Sequence, residues 1–109
     1  MNSLEGVVFE IAQVGKRLPM AVLVLVGDNI MLNPADKKYL LQNGCVVVKA
    51  NDNSEAAKLH GRLFEIIYCL GNCEGRLLTE ARTRFCMHRF VQLIHVIDRR
   101  HYHADNNPN

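Results

Sequence analysis

Residues 20–26 read Met-Ala-Val-Leu-Val-Leu-Val, seven apolar positions without a polar interruption. A half-exposed strand would alternate and an amphipathic helix would repeat every three to four residues, so this run belongs to an element covered on both faces. The wider run, residues 18–26, is far short of the ~20 residues that cross a bilayer. Three valines among residues 21–26 favour a strand over a buried helix, because branched side chains pack well on a pleated surface. The all-helical alternative stays open, since short apolar runs do not separate the two.

A second branched run, Cys45-Val46-Val47-Val48-Lys49-Ala50, follows after a short helical signal. Asn33-Pro34-Ala35-Asp36 is a helix start: Asn caps, Pro fits the first helical position, and Asp suits the positive end of the dipole. Leu40 and Leu41 supply the apolar side, and Asn43-Gly44 stops the helix. Strand, short helix, strand predicts a βαβ-like unit with parallel strands over 20–26 and 45–50. Gly27-Asp28-Asn29 is turn chemistry, and residues 30–32 are a candidate third strand.

Leu4, Val7, Val8, Ile11 and Ala12 predict a helix over 4–14, ended by Gly15. Asp52 and Glu55 stand at capping-box spacing before a stripe of Ala56, Leu59, Leu63, Phe64, Ile67 and Leu70, which predicts a helix over 54–70. After Gly71-Asn72 and a short link, a long helix is expected over 76–101. The expected fold class is therefore α/β, with α+β possible. It has a small sheet of two to three strands and a helical C-terminal half ending in a long helix. One domain over 1–103 and a frayed polar tail over 104–109 complete the expectation.

The chain has 109 residues, 49% apolar and 22% charged, with a formal net charge of +2. That balance excludes default disorder and does not announce nucleic acid. The charge is uneven, however. Residues 1–75 carry seven Lys/Arg and eight Asp/Glu, whereas residues 76–103 carry six Arg against Glu80 and Asp98. Lys16-Arg17 ahead of the apolar run imitates a secretory signal, but the run is short and Gly27-Asp28-Asn29 is no small-residue cleavage site. A cytoplasmic protein with reduced, core-packed cysteines is the expectation, with no membrane association.

Within the expected long helix the apolar side changes. Leu78, Ala81 and Phe85 share one side, while Cys86, Met87, Phe90, Leu93, Ile94 and Ile97 share the opposite one. Either the helix kinks near Arg82-Thr83-Arg84 or its halves meet different surfaces, one of them a second copy of the chain. Met87, Phe90, Leu93, Ile94 and Ile97 are the expected homo-oligomer interface. The other side carries His88, Gln92, His95 and Arg99. With Arg82, Arg84, Arg89 and Arg100 these form a cationic surface for an acidic protein partner or for the phosphates of a nucleic acid.

Other chemistries are weaker in the residues. Cys69, Cys73, Cys86 and His88 are four metal-type ligands in twenty residues. On a helix, however, Cys86 and His88 would point about 160° apart, so no metal is assigned. No glycine-rich phosphate loop appears, and no cofactor is expected. Asp28, just after a strand, stands where an α/β enzyme carries a catalytic carboxylate, but a turn-forming Asp is commoner there, and no catalytic residue is assigned. The function expected is a small non-enzymatic regulatory or adaptor protein that binds other proteins and self-associates; a nucleic-acid-binding regulator is the alternative.

Overall fold

The structure is a computed structural model and describes residues 3–93. In chain order it runs α1 (Ser3–Arg17), β1 (Val22–Val26), α2 (Pro34–Gln42), β2 (Cys45–Lys49), a 3₁₀ helix (Asn53–Leu59), β3 (Phe64–Leu70), α3 (Arg76–Glu80), a π turn (Ala81–Phe85) and β4 (Cys86–Leu93). The four strands form one parallel sheet in the order β2-β1-β3-β4. This corrects the expected architecture twice. The sheet is larger than two to three strands, and no long helix occupies 76–93. Residues 30–32 add no strand.

β1 lies between β2 and β3 and all five of its residues are buried. Val22, Val24 and Val26 join Val47, Ile66, Tyr68 and Leu70 in a core layer under α1 and α2. Leu23 and Leu25 join Val48, Phe64, Ile67 and Cys69 in a second layer, closed by Leu59 of the 3₁₀ helix and by Leu77 and Ala81. The uninterrupted apolar run thus has its physical reason: each face of β1 meets a different layer.

The expected helix over 54–70 is replaced by a short 3₁₀ helix and a strand. Asp52 is the N-cap of the 3₁₀ helix, but the reciprocal bond of a capping box is not made, because Glu55 reaches Lys49 instead of the Asp52 amide. Asp52 accepts from Ser54 N at 3.0 Å, and Glu55 accepts from Lys49 N at 2.8 Å. The Ser54 hydroxyl and the Lys49 amide hold these two carboxyls below the usual range. The helix then stops at His60, and Gly61 turns the chain with φ 71°. Beyond it Phe64–Leu70 is apolar at every position but Glu65, so a helical stripe can be picked out of a strand buried on both faces.

The expected long helix ends at Phe85. The π turn carries the chain off the helical path at Arg82-Thr83-Arg84, where the apolar side changes, and β4 follows. Cys86 and Phe90 then pack on one layer and Val91 on the other. Leu78, Ala81 and Phe85 precede the strand, while Cys86, Met87 and Phe90 lie on it, which removes the face switch as a ground for self-association. β4 pairs Phe64 with Cys86 but Ile66 with Arg89, so it carries one extra residue at Met87–His88.

α1 continues two residues past Gly15. That glycine serves packing: a Cβ on it would stand 2.9 Å from Cys45 Sγ and against the Asn43 carbonyl. Gly6, in the same helix, has open space where a Cβ would go. Gly6→Ala is therefore expected to stabilise the fold by about 0.5–1 kcal/mol, read as a higher urea midpoint; a lower midpoint would contradict the open placement. Among the described residues no helix is long and apolar enough to cross a membrane.

Candidate functional site

In a doubly wound sheet, ligands enter the crevice beyond the carboxyl ends of the strands where the strand order reverses. Here that point lies between β1 and β3, and the chain's own loops fill it. Gly27 N donates to Leu70 O at 2.8 Å. A Cβ on Gly27 would stand 2.5 Å from Asn72 O. Asn29 Oδ1 accepts from Asn72 N at 2.8 Å. Gly71, at φ 76°, packs onto Ile30. Asp28 is exposed at this edge. Among the described residues no three His, Cys, Asp or Glu side chains group as metal ligands would.

The candidate metal ligands Cys69 and Cys86 share a face of the sheet but stand at different heights along its strands. Cys86 pairs with Phe64 at the start of β3, and Cys69 lies five residues further along that strand, a distance of roughly 16 Å. Cys69 and Cys73 are bonded to each other as a disulfide, with their Cα atoms 6.5 Å apart, where the sequence analysis expected reduced thiols throughout. Cys45 and Cys86 are free. Burial pushes the Cys45 thiol up to about 11, so it stays protonated and unreactive at neutral pH.

Charged groups converge on the second layer of the fold, in a cleft of about 270 Å³ between the 3₁₀ helix and the helical segment 76–85. Its apolar floor is Ala56, Leu77 and Phe85, and its rim carries the guanidinium groups of Arg76 and Arg84 and the imidazole of His60. Arg76, Glu80 and Arg84 follow one another at four-residue steps, which brings them to one side of the segment. Arg76 Nε lies 3.1 Å from Glu80 Oε2, so the one carboxylate on the rim is already matched. Among the described residues neither Arg84 nor His60 has an ion-pair partner.

The expected cationic surface is divided. Arg84 is in the cleft. Arg82 stacks over the Phe90 ring at 5.4 Å. Arg89 pairs with Ile66, which places it on the sheet face under α1 and α2, away from the cleft. His88 and Gln92 lie on β4 instead of a helix, and His95, Arg99 and Arg100 fall outside the described residues. Of the expected interface, Met87 is 50% exposed, while Phe90 packs against the second core layer. Leu93 pairs with Leu70 in the ladder, and Ile94 and Ile97 fall outside the described residues. The sequence reading missed His60 and Arg76 as site residues. The 76/80/84 spacing was visible, but His60 reaches the cleft only because the chain turns at Gly61.

No family model, no curated protein and no solved structure matches this chain.

Proposed function

We propose that the protein is a small regulatory or adaptor module that binds an acidic segment of another protein in the cleft between the 3₁₀ helix and residues 76–85. The observation that carries this reading is the pairing of an apolar floor with a rim of His60, Arg76 and Arg84 whose single carboxylate, Glu80, is already engaged. An extended segment with alternating acidic and apolar side chains fits both parts. The acidic groups would meet guanidinium forks, which take carboxylates in bidentate fashion, and an apolar side chain would cover Ala56 and Phe85. The interlocked loops at the switch point further favour a binding surface over chemistry at that crevice. A nucleic acid is favoured less, because the described arginines are spread over both faces of the sheet and Arg82 is engaged with Phe90.

The test is fluorescence anisotropy with a short labelled peptide of alternating Glu and Leu. Binding is expected to weaken about tenfold or more in the Arg76→Glu/Arg84→Glu double variant, and to weaken as salt rises. Equal binding by the variant and the wild type would remove the cleft as the site. Tighter binding of a single-stranded oligonucleotide than of the peptide would replace the acidic segment with a phosphate backbone.

A further inference from the structure

Cys69 is the last residue but one of β3, and Cys73 follows after Leu70-Gly71-Asn72. Gly71 at φ 76° reverses the chain so that the two side chains meet. The 6.5 Å between their Cα atoms lies within the range that a disulfide spans. Both residues are buried, Cys69 fully and Cys73 to 3% exposure. Around them stand carbonyl oxygens suited to the reduced state. Leu25 O and Leu70 O are each 3.7 Å from Cys73 Sγ, and Gly71 O is 3.8 Å from Cys69 Sγ. On reduction the two sulfurs must move apart, and these carbonyls are the acceptors that stand nearest to them. Each thiol of the reduced form thus has a carbonyl within reach, and the ring that the bond closes is short, so its loss frees less chain entropy than the opening of a long loop would.

We propose that Cys69 and Cys73 are a reversible dithiol–disulfide couple, a redox site separate from the cleft, whose reaction partner is a dithiol reductant or its disulfide. In the reducing direction a thiolate of the reductant attacks one sulfur of the pair, the Cys69–Cys73 bond breaks, and a mixed disulfide forms. The reductant's second thiol then displaces the protein sulfur. Two electrons pass to the pair, Cys69 and Cys73 each take up a proton, and the reductant leaves as a disulfide. Because both sulfurs are buried, attack requires residues 71–75 to open locally. The bond ties Cys73 to the end of β3, and three residues later the chain enters α3 with Arg76. Reduction thus loosens the connection between the sheet and the segment that carries the cleft's rim. The couple itself does not depend on what the cleft binds.

The test uses the full chain in buffers of oxidised and reduced dithiothreitol, followed by denaturation, alkylation and intact mass. Two alkylated cysteines, Cys45 and Cys86, are expected in the oxidising buffer and all four in the reducing one, with full return on reoxidation and an unchanged circular dichroism spectrum. Amide exchange over residues 71–80 is expected to quicken about tenfold on reduction while β1 keeps its protection. Four alkylated cysteines in oxidising buffer would overturn the couple. Loss of the fold on reduction would also overturn it, by making the bond a structural staple, as would exchange at 71–80 that ignores the redox state. Cys69→Ser/Cys73→Ser should show the faster exchange in both buffers. Should that variant not fold, the wild-type measurements decide alone. None of these readouts involves the acidic peptide, so failure of the cleft leaves this result standing.

Discussion

Phe64→Ala is expected to cost about 3–5 kcal/mol of stability, a large share of the roughly 5–15 kcal/mol that holds a domain of this size. Phe64 has no exposed surface. It opens β3 and packs into the layer that contains Leu23, Leu25, Leu59, Ile67 and Leu77. Its ring also lies 5.5 Å beneath the Arg62 guanidinium, which covers it from the solvent side. Truncation removes the transfer energy of the ring and leaves a cavity that elements from both ends of the layer border, so collapse around it is limited. Thermal unfolding should move down by roughly 12 °C or more. Met87→Ala, at a half-exposed position on β4, serves as the comparison and should stay within about 0.5 kcal/mol of the wild type. A loss below about 1 kcal/mol for Phe64→Ala would place Phe64 outside the core.

Which parts of this fold the residues disclose depends on how many environments each pattern fits. The caps are local: Asn33 accepts from Asp36 N at 2.8 Å and Asp52 from Ser54 N, because a side chain reaching its own backbone needs nothing distant. The run Ala21–Val26 is nearly as plain, since its valines favour a covered strand, although its length alone would also suit a buried helix. Phe64–Leu70 and Cys86–Leu93 are not plain. In β3 six of seven residues are apolar, which satisfies a helical stripe and a strand alike. In β4 the polar His88, Arg89 and Gln92 fall at spacings that a helix also produces. What decides both is tertiary: β3 completes the ladder beside β1, and β4 beside β3. The cleft was half disclosed for the same reason. Arg76, Glu80 and Arg84 share a local spacing, but His60 joins them through a turn and a sheet that no short window contains.

Gly27→Ala is expected to destabilise by about 3 kcal/mol, at the upper end of what overpacking costs, although it adds one methyl group. The penalty is steric and not conformational, because Gly27 has no positive φ. A Cβ there would meet Asn72 O at 2.5 Å and Asn72 C and N at 2.8 Å, all backbone atoms. Neither side has room to yield. Gly27 is held by its bond to Leu70 O and by Ile30 N donating to Gly27 O at 3.1 Å. Asn72 is held by Asn29 Oδ1 and, one residue on, by the Cys69–Cys73 bond. The substitution therefore tests the interlocked switch point directly; a loss under about 1 kcal/mol would mean that the loops stand apart. It also couples to the redox state. With the disulfide reduced, residues 71–73 gain freedom to withdraw from the new methyl group. The cost of Gly27→Ala should then fall by roughly 0.5–1 kcal/mol in reducing buffer, measured as a double-mutant-style cycle between substitution and oxidation state. An unchanged cost would show that the hydrogen bonds to Asn29 and Leu70, and not the disulfide, hold the β1 and β3 loops together.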